Sequence, residues 1–271
     1  MPTLSVVVPA LNEAQNIEAV VGSVPVAALS HLGWDTEVLV VDNASTDGTG
    51  DLARAAGATV VLQPRRGYGS AYKAGFAAAR GDVIVTGDAD RTYPLDQADD
   101  LLKLFLGSGA DFLTTNRLLA SNRGAMKRSH AVGNHVLSAF ARALFGHDLR
   151  DSQSGMWMFF RAVWEDIDVR SEGMGFSQEI KNEAFRSGFR TVEVPIEYRP
   201  RGGEVKLNAL RDGVRNLTWL IEERRRPVAP ARAGRSALGH AVPTPQFVNR
   251  RQLAEPFAEP LNDGSAMEGA S

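Results

Sequence analysis

The chain has 271 residues, 44% of them hydrophobic and 23% charged, which suits one well-packed globular domain or one domain with an appendage. Its formal net charge of −2 gives no reason to expect nucleic acid or an acidic polymer as a partner. Because the chain has no cysteine, disulfides and thiolate metal sites are excluded, and the composition fits a reducing cytoplasm.

The first half alternates short β-branched runs with longer helical patterns. Strands are predicted at residues 5–8, 37–41, 59–62 and 82–86, and helices at about 13–22, 46–55 and 68–79. The alternation indicates βαβ units and a parallel sheet, in which ligands bind beyond the carboxyl ends of the strands. The first of these runs predicts a buried strand rather than a signal peptide.

The second half is less regular. It predicts a helix at about 127–145, strands at 156–160 and 191–198, a helix at 177–186 and a last helix from about 207 to 226. From residue 227 the chain holds 6 of its 13 prolines, so we expect one domain at 1–226 and a mostly disordered tail at 227–271. No uncharged apolar run approaches the ~20 residues of a spanning helix, so any membrane contact is expected to be peripheral.

The sharpest local signal is a pair of aspartates, Asp88 and Asp90, directly after the strand at 82–86. Two carboxylates flanking one residue at a strand end can face one Mg²⁺ or Mn²⁺ ion, which would neutralise a diphosphate leaving group. An isolated Asp-x-Asp is more often a solvated turn. The position of this pair, at the end of the fourth strand, favours the metal site.

Two further strand ends carry polar residues. Asn12 is predicted to cap a helix beginning at Glu13, whose charge suits a first turn. Asp42 ends the second strand and has no such local role, so we expect it to accept hydrogen bonds from a base or ribose.

Taken together, these segments resemble the signatures of family 2 glycosyltransferases: residues 8–13 (VPALNE), 40–49 (VVDNASTDGT) and 87–90 (GDAD). Further marks resemble the branch of dolichyl- or polyprenyl-phosphate mannosyltransferase-like enzymes: residues 115–117 (TNR), 151–156 (DSQSGM), 176–179 (FSQE) and 201–207 (RGGEVKL). The resemblance covers about residues 3–222. It implies an inverting enzyme with the GT-A fold, a Rossmann-like α/β single domain.

The resemblance also implies roles for individual residues. Those implied to hold the nucleoside are Pro9, Leu11, Glu13 and Asp42. Asp88 and Asp90 would bind the metal and the diphosphate. Those implied to face or close over the phosphates of donor and acceptor are Arg117, Arg128 and Lys206. Arg201 is a further candidate for substrate binding. Two departures are Thr92, where related enzymes often carry Gln as a third metal ligand, and Val205, where they carry Ser.

A phosphate acceptor agrees with the residues of the second half. A phosphate monoester is already ionised near neutral pH, with a second pKa of ~6, so it needs cations more than a general base. The available cations are Arg117, Arg123, Lys127, Arg128, Arg199, Arg201 and Lys206, of which Arg123 and Arg199 are expected to be solvated surface charges. Glu179 is a candidate base but equally suits the orientation of an arginine.

The last helix allows two interpretations. Its apolar residues recur at helical spacing beside Trp219, and it ends in three arginines, which suits an anionic membrane interface. An ordinary helix packed on the sheet with a cationic C-terminus explains the pattern equally well.

These observations predict a glycosyltransferase dependent on Mg²⁺ or Mn²⁺, peripheral at the cytoplasmic face of a membrane. It would move a hexose from a GDP- or UDP-hexose to a polyprenyl phosphate. Two alternatives stay open: the same donor with a soluble acceptor, and a catalytically silent protein that binds nucleotide-sugar or lipid.

Overall fold

The computed structural model describes residues 1–122, 124, 128–202 and 209–227, of which 120, 128–130 and 209–215 are described as backbone only. The strands are β1 Thr3–Ala10, β2 Asp35–Asp42, β3 Thr59–Leu62, β4 Val83–Thr86, β5 Phe112–Asn116, β6 Trp157–Phe160 and β7 Thr191–Pro195. The helices are α1 Ile17–Ser23, α2 Val26–His31, α3 Thr49–Ala55, α4 Tyr68–Ala78, α5 Ala98–Ser108, α6 Arg128–Phe145, α7 Arg161–Asp166, α8 Phe176–Arg186 and α9 Ala209–Arg224. Short 3₁₀ turns lie at Leu95–Gln97 and Ala120–Asn122.

The seven strands form one sheet in the order β3-β2-β1-β4-β6-β5-β7. Neighbouring strands are parallel except at β6, which runs antiparallel to β4 and β5. The middle strand β4 is wholly buried and three of its four residues are apolar, as expected for a strand covered on both faces. The predicted fold class, a mostly parallel α/β sheet flanked by helices, is confirmed.

The strand order reverses between β1 and β4. From β1 the chain proceeds to β2 and β3 on one side of the sheet, whereas β4 lies on the other side. Loops that leave a parallel sheet at such a point diverge and open a crevice beyond the carboxyl ends of the strands. The loops after β1, β2 and β4, which carry most of the predicted site residues, therefore meet at one place.

Two helices begin later than the sequence predicts. α1 starts at Ile17 rather than at residue 13, and Asn12 has a left-handed φ of 53°. α3 starts at Thr49 rather than at residue 46, because Gly48 turns the chain with a φ of 87°, a conformation suited to glycine. Asn12, Ser45 and Thr46 are thereby available for contacts between the two loops.

The sequence prediction lacks α2, α5, α7 and β5. For α5 a signal was present, since Leu101, Leu102, Phe105 and Leu106 are buried at helical spacing. β5 was hidden because its sequence, FLTTN, changes from apolar to polar along the strand and forms neither a continuous apolar run nor an alternation, although all five residues are buried.

An aromatic cluster beneath the crevice fixes α4 against β6 and α8. Tyr72 stacks on Phe176 with ring centroids 5.8 Å apart and lies 5.0 Å from Trp157. All three side chains are fully buried, and burial of each such ring contributes about 1.5–3 kcal/mol. The cluster holds the first turns of α4 beside the end of β4.

Candidate active site

Asp88 and Asp90 lie directly beyond β4, with Asp88 half-buried and Asp90 buried. Asp90 Oδ1 accepts hydrogen bonds from the backbone N–H of Thr92 at 3.1 Å and from its hydroxyl at 2.7 Å. Thr92 stands where the resemblance places a third metal ligand. Because its hydroxyl donates to Asp90, it orients the carboxylate instead.

Tyrosine hydroxyls form hydrogen bonds with the carboxylate of Asp88 and with the backbone of Gly155, which lies close to it. Tyr68 and Tyr72 donate to Asp88 Oδ1 at 3.3 and 3.4 Å. The hydroxyl of Tyr93 accepts the backbone N–H of Gly155 at 2.6 Å. A side chain at Gly155 would collide with the hydroxyl of Tyr68, so this glycine allows the close approach.

All four tyrosines of the chain belong to this site, since Tyr198 hydrogen-bonds to the side chain of Thr92. Burial raises the pKa of Tyr68, Tyr72 and Tyr93 well above the ordinary value, so these phenols stay neutral donors. None of the four was predicted as a site residue. The spacing of four between Tyr68 and Tyr72, which puts both on one helix face, was the available signal.

The electrostatics of the pair fit a divalent cation. Burial, and then the charge of Asp90, raise the pKa of Asp88 to about 7, against the lowering effect of Arg117 and Arg201. Two carboxylates in one site resist joint ionisation, and a hard cation between them would favour their ionised forms. Within the described part of the chain no three His, Asp or Glu side chains form a metal site. Asp88 and Asp90 are the residues that would hold such an ion.

The segment at residues 199–202 lies over the acidic pair. Arg201 Nη2 is 3.2 Å from Asp90 Oδ2 and 3.9 Å from Glu13 Oε1. The backbone N–H of Gly202 donates to the carbonyl of Asp90 at 3.1 Å. The fold thus brings together three predicted site residues from distant parts of the sequence.

Arg117 follows β5 and is buried beside the same pair. Its Nε and Nη2 donate to Asp151 at 2.8 and 2.9 Å, and its guanidinium lies over the ring of Tyr198 at 5.3 Å. Burial alone would raise the pKa of Asp151, but Arg117 outweighs burial and holds that pKa below its usual range. Lys181 Nζ donates to the carbonyl of Asp151 at 2.9 Å. A permanent positive charge is therefore fixed in place near Asp88.

The loops after β1 and β2 are locked to each other. The N–H of Asn12 donates to Ser45 Oγ at 3.0 Å, and the N–H of Thr46 donates to Asn12 Oδ1 at 2.9 Å. The N–H of Glu13 donates to Thr49 Oγ1 at 2.9 Å. The predicted role of Asn12 as a helix cap is therefore wrong, because its side chain bridges the two loops.

Asp42 ends β2 and pairs in register with Ala10 of β1. Its Oδ1 accepts the N–H of Ser45 at 2.9 Å, so the prediction that Asp42 has no local role is wrong. Pro9 is the last but one residue of β1, Leu11 follows that strand, and both are half-buried. These residues therefore lie together at one end of two neighbouring strands.

Glu179 is fully buried in α8. Its carboxylate accepts the backbone N–H of Arg170 at 3.1 Å and that of Ser171 at 2.7 Å, and it forms an ion pair with Arg226. Of the two roles that the sequence left open, the orientation of an arginine describes this geometry better than a general base does. The arginine, Arg226, is not one of the predicted loop cations.

The remaining predicted cations divide into three groups. Arg199 pairs with Asp96 at 2.7 Å and with Glu197 at 3.2 Å, as a partly exposed surface cation does. Arg128 is the first residue of α6, and its side chain lies outside the described part of the molecule. Those wholly outside it are Arg123, Lys127 and Lys206, together with Val205 and the tail beyond residue 227.

The described part of α9 packs as an ordinary helix. Leu220 and Glu223 are fully buried, and the guanidinium of Arg226 lies 4.7 Å from the ring centroid of Trp219. In the ranges that the structure covers, we find no helix with both the length and the apolar character needed to cross a membrane.

A mostly parallel sheet with two aspartates beyond the strand at its switch point defines a protein of the GT-A fold. The model of the family described as "Glycosyl transferase family 2" matches residues 5–168, and the chain belongs to that family. The predicted family is thereby confirmed.

Two relatives come from Haloferax volcanii. The low-salt glycan biosynthesis hexosyltransferase Agl6 is 39% identical over 81% of this chain, which spans 53% of that relative. A dolichyl-phosphate hexose transferase is 34% identical over 78% of this chain and 89% of its own length. Among solved structures, glucosyl-3-phosphoglycerate synthase from Mycobacterium tuberculosis, with Mn²⁺, UDP and glucosyl-3-phosphoglycerate, is similar with a TM-score of 0.65 and 26% identity. That match covers 83% of this chain and 81% of the synthase chain.

Proposed function

We propose that this protein is an inverting, metal-dependent hexosyltransferase that moves a hexose from a nucleoside-diphosphate sugar to a polyprenyl phosphate. The observation that carries the proposal is the arrangement of Asp88 and Asp90 at the sheet switch point, between the fixed cations Arg117 and Arg201. Two carboxylates and two guanidiniums in one crevice suit a metal diphosphate and a second phosphate.

The donor would lie with its nucleoside on the loops after β1 and β2 and its diphosphate at the acidic pair. UDP and Mn²⁺ in the similar synthase structure support this placement. When bound, a Mg²⁺ or Mn²⁺ ion would neutralise charge on the leaving diphosphate. Asp88 and Asp90 would hold it, the tyrosine hydroxyls would orient Asp88, and Arg201 is placed to neutralise further charge on the same group.

A phosphate acceptor is consistent with a site in which Glu179, the predicted general base, is already bonded to other groups. Glu179 is committed to two backbone amides and to Arg226. An ionised phosphate oxygen needs no base to remove a proton, whereas a sugar hydroxyl does. Arg117, held by Asp151, offers a rigid charge for such an acceptor. The name of the dolichyl-phosphate relative supports the same class of acceptor.

A lipid acceptor also explains the outer face of α6. Val132, Val136 and Phe140 recur every four residues and are 62%, 52% and 48% exposed, and the helix contains no acidic residue. Such a stripe suits isoprene units or the acyl region of a membrane surface. We therefore propose that the protein acts peripherally at a membrane, with α6 toward the lipid. The proposed location is the cytoplasmic face of that membrane.

The soluble-acceptor alternative rests on the synthase structure, whose product is a phosphorylated metabolite. The lipid-acceptor and soluble-acceptor hypotheses are distinguished by a panel of UDP- and GDP-hexoses with Mn²⁺. Each donor is incubated with either short-chain polyprenyl phosphate or 3-phosphoglycerate. Mass spectrometry of the products is the readout. Transfer to 3-phosphoglycerate alone would overturn the lipid assignment, and no transfer to either would favour a silent binding protein.

A variant tests the stripe on α6. Replacing Val132, Val136 and Phe140 by Ser should lower transfer to polyprenyl phosphate in vesicles at least tenfold and leave donor binding unchanged. Leu62→Ser removes an equally exposed apolar side chain on β3 and serves as the control. Equal rates in both variants would remove α6 from the lipid site.

A further inference from the structure

Asn16 occupies the N-cap position of α1 but does not cap it. Asparagine at this position commonly accepts a hydrogen bond from the first turn of its helix. Here no side-chain cap bond forms, and the residue is only 5% exposed. Helix capping therefore does not explain a buried polar side chain at this point.

The side-chain amide of Asn16 instead reaches the segment that crosses the site. Its Nδ2 donates to the carbonyl of Gly202 at 2.7 Å and to Glu13 Oε2 at 2.9 Å. The fit is tight, since a Cβ at Gly202 would lie 2.5 Å from Asn16 Oδ1. The two residues are 186 positions apart in the chain, so the contact joins the loop after β1 to the far end of the domain.

Residues 199–202 run along the loop of the acidic pair. The N–H of Arg199 donates to the carbonyl of Thr92 at 3.0 Å, and the N–H of Gly202 donates to that of Asp90 at 3.1 Å. Both bonds tie the segment to one side only. The bond from Asn16 ties it to the opposite side of the crevice.

We infer that Asn16 is a positioning residue: by holding Gly202, it fixes the Arg201 guanidinium over Asp90 and the diphosphate of the donor. The inference rests on the proposed function, because it assigns Arg201 to that diphosphate. A guanidinium on a long, flexible side chain neutralises a phosphate best when its backbone is already in place. Asn16 supplies that order through the backbone carbonyl of Gly202.

The first test is proteolysis of the full chain. In Asn16→Ala, trypsin should cut the Arg201–Gly202 bond at least fivefold faster than in the wild type, as followed by mass spectrometry. UDP or GDP with Mn²⁺ should protect the wild type and protect the variant much less. Ser23→Ala, which removes a hydroxyl bond to Val20 within α1, is the matched control and should behave as the wild type.

The second test is a double-mutant cycle. Gly202→Ala alone should speed that cleavage and raise the Kd for nucleoside diphosphate about tenfold, because its Cβ meets Asn16. In the Asn16→Ala background the same change should add less than twofold, since the colliding oxygen is gone. Equal effects of Gly202→Ala in both backgrounds would overturn the inference.

Activity separates a positioning role from a structural one. Asn16→Ala should lower kcat at least tenfold while its melting temperature stays within a few degrees of the wild type. A melting temperature that falls with kcat unchanged would make Asn16 a structural residue only. If the wild type binds nucleoside diphosphate but transfers to no lipid, the proposed acceptor fails, whereas cleavage and binding still decide the role of Asn16.

Discussion

The carboxyl group of Glu223 provides a quantitative test of how α9 is docked. The side chain is fully buried, Oε2 accepts the amide of Asn182 at 3.0 Å, and Oε1 has no hydrogen-bond partner in the described structure. Burial raises the pKa of Glu223 to about 8, and the charges of Glu179 and Glu183 act in the same direction. The acid is therefore expected to be protonated in the folded protein at neutral pH.

The direction of the pH effect follows from the two pKa values. The ordinary value is 4.5, so between there and about 8 the unfolded chain releases a proton that the folded protein keeps. The contribution to stability is fully present below pH 4.5 and is lost as the pH rises through the folded value. At ~1.4 kcal/mol per pH unit, this loss is on the order of 4 kcal/mol by pH 8.5.

The variant Glu223→Gln removes the titration and keeps an acceptor for Asn182. Its free energy of unfolding should be close to that of the wild type at pH 5 and higher by about 2–4 kcal/mol at pH 8.5. Urea denaturation at both pH values measures the difference. Glu222→Gln, at the exposed neighbouring position, is the control. A difference that is the same at both pH values would refute the assignment of a protonated acid.

Four further outcomes are expected. Asp90→Asn should lower kcat at least 100-fold, about 3 kcal/mol, with the fold kept by circular dichroism, and near-normal turnover would remove the metal assignment. Asp42→Ala should raise the donor KM about tenfold with kcat preserved, and a fall in kcat at saturating donor would place Asp42 in the chemistry. Arg117→Lys should raise the acceptor KM more than the donor KM, because an ammonium loses the bidentate grip of Asp151. Truncation after Arg226 should leave melting temperature and transfer unchanged, since the tail composition is poor in core-forming residues.

The sequence was informative where a residue's role is set by its place on a strand. Asp88, Asp90 and Asp42 follow strands that the periodicity predicts, and the parallel sheet brings strand ends together without further information. Arg201 was one of several candidate cations, and the fold places its guanidinium 3.2 Å from Asp90 Oδ2.

The sequence failed where partners come from distant segments. Asn12 satisfies every local rule for a helix cap, yet its side chain bonds across to Thr46. Glu179 carries the residue type of a base, and only the fold shows that backbone amides and Arg226 take its oxygens. The cluster of four tyrosines is only partly indicated by the sequence. Tyr68 and Tyr72 share a helix face, but Tyr93 and Tyr198 lie far apart in the chain, and only the fold brings their ring centroids to 5.4 Å.

The charges of the site favour substrates that arrive already ionised. The phenols around Asp88 stay neutral because burial raises their pKa, so they donate hydrogen bonds without offering a base. The charge of Arg117 is fixed by Asp151, and Arg201 lies against Asp90, where its guanidinium would face a metal diphosphate. Apart from the acidic pair, which would hold the metal, the site offers fixed cations and neutral donors. These groups stabilise a leaving diphosphate and an ionised phosphate nucleophile more than they activate a hydroxyl. This balance is the physical reason to expect a phosphate acceptor, independently of the names of related proteins.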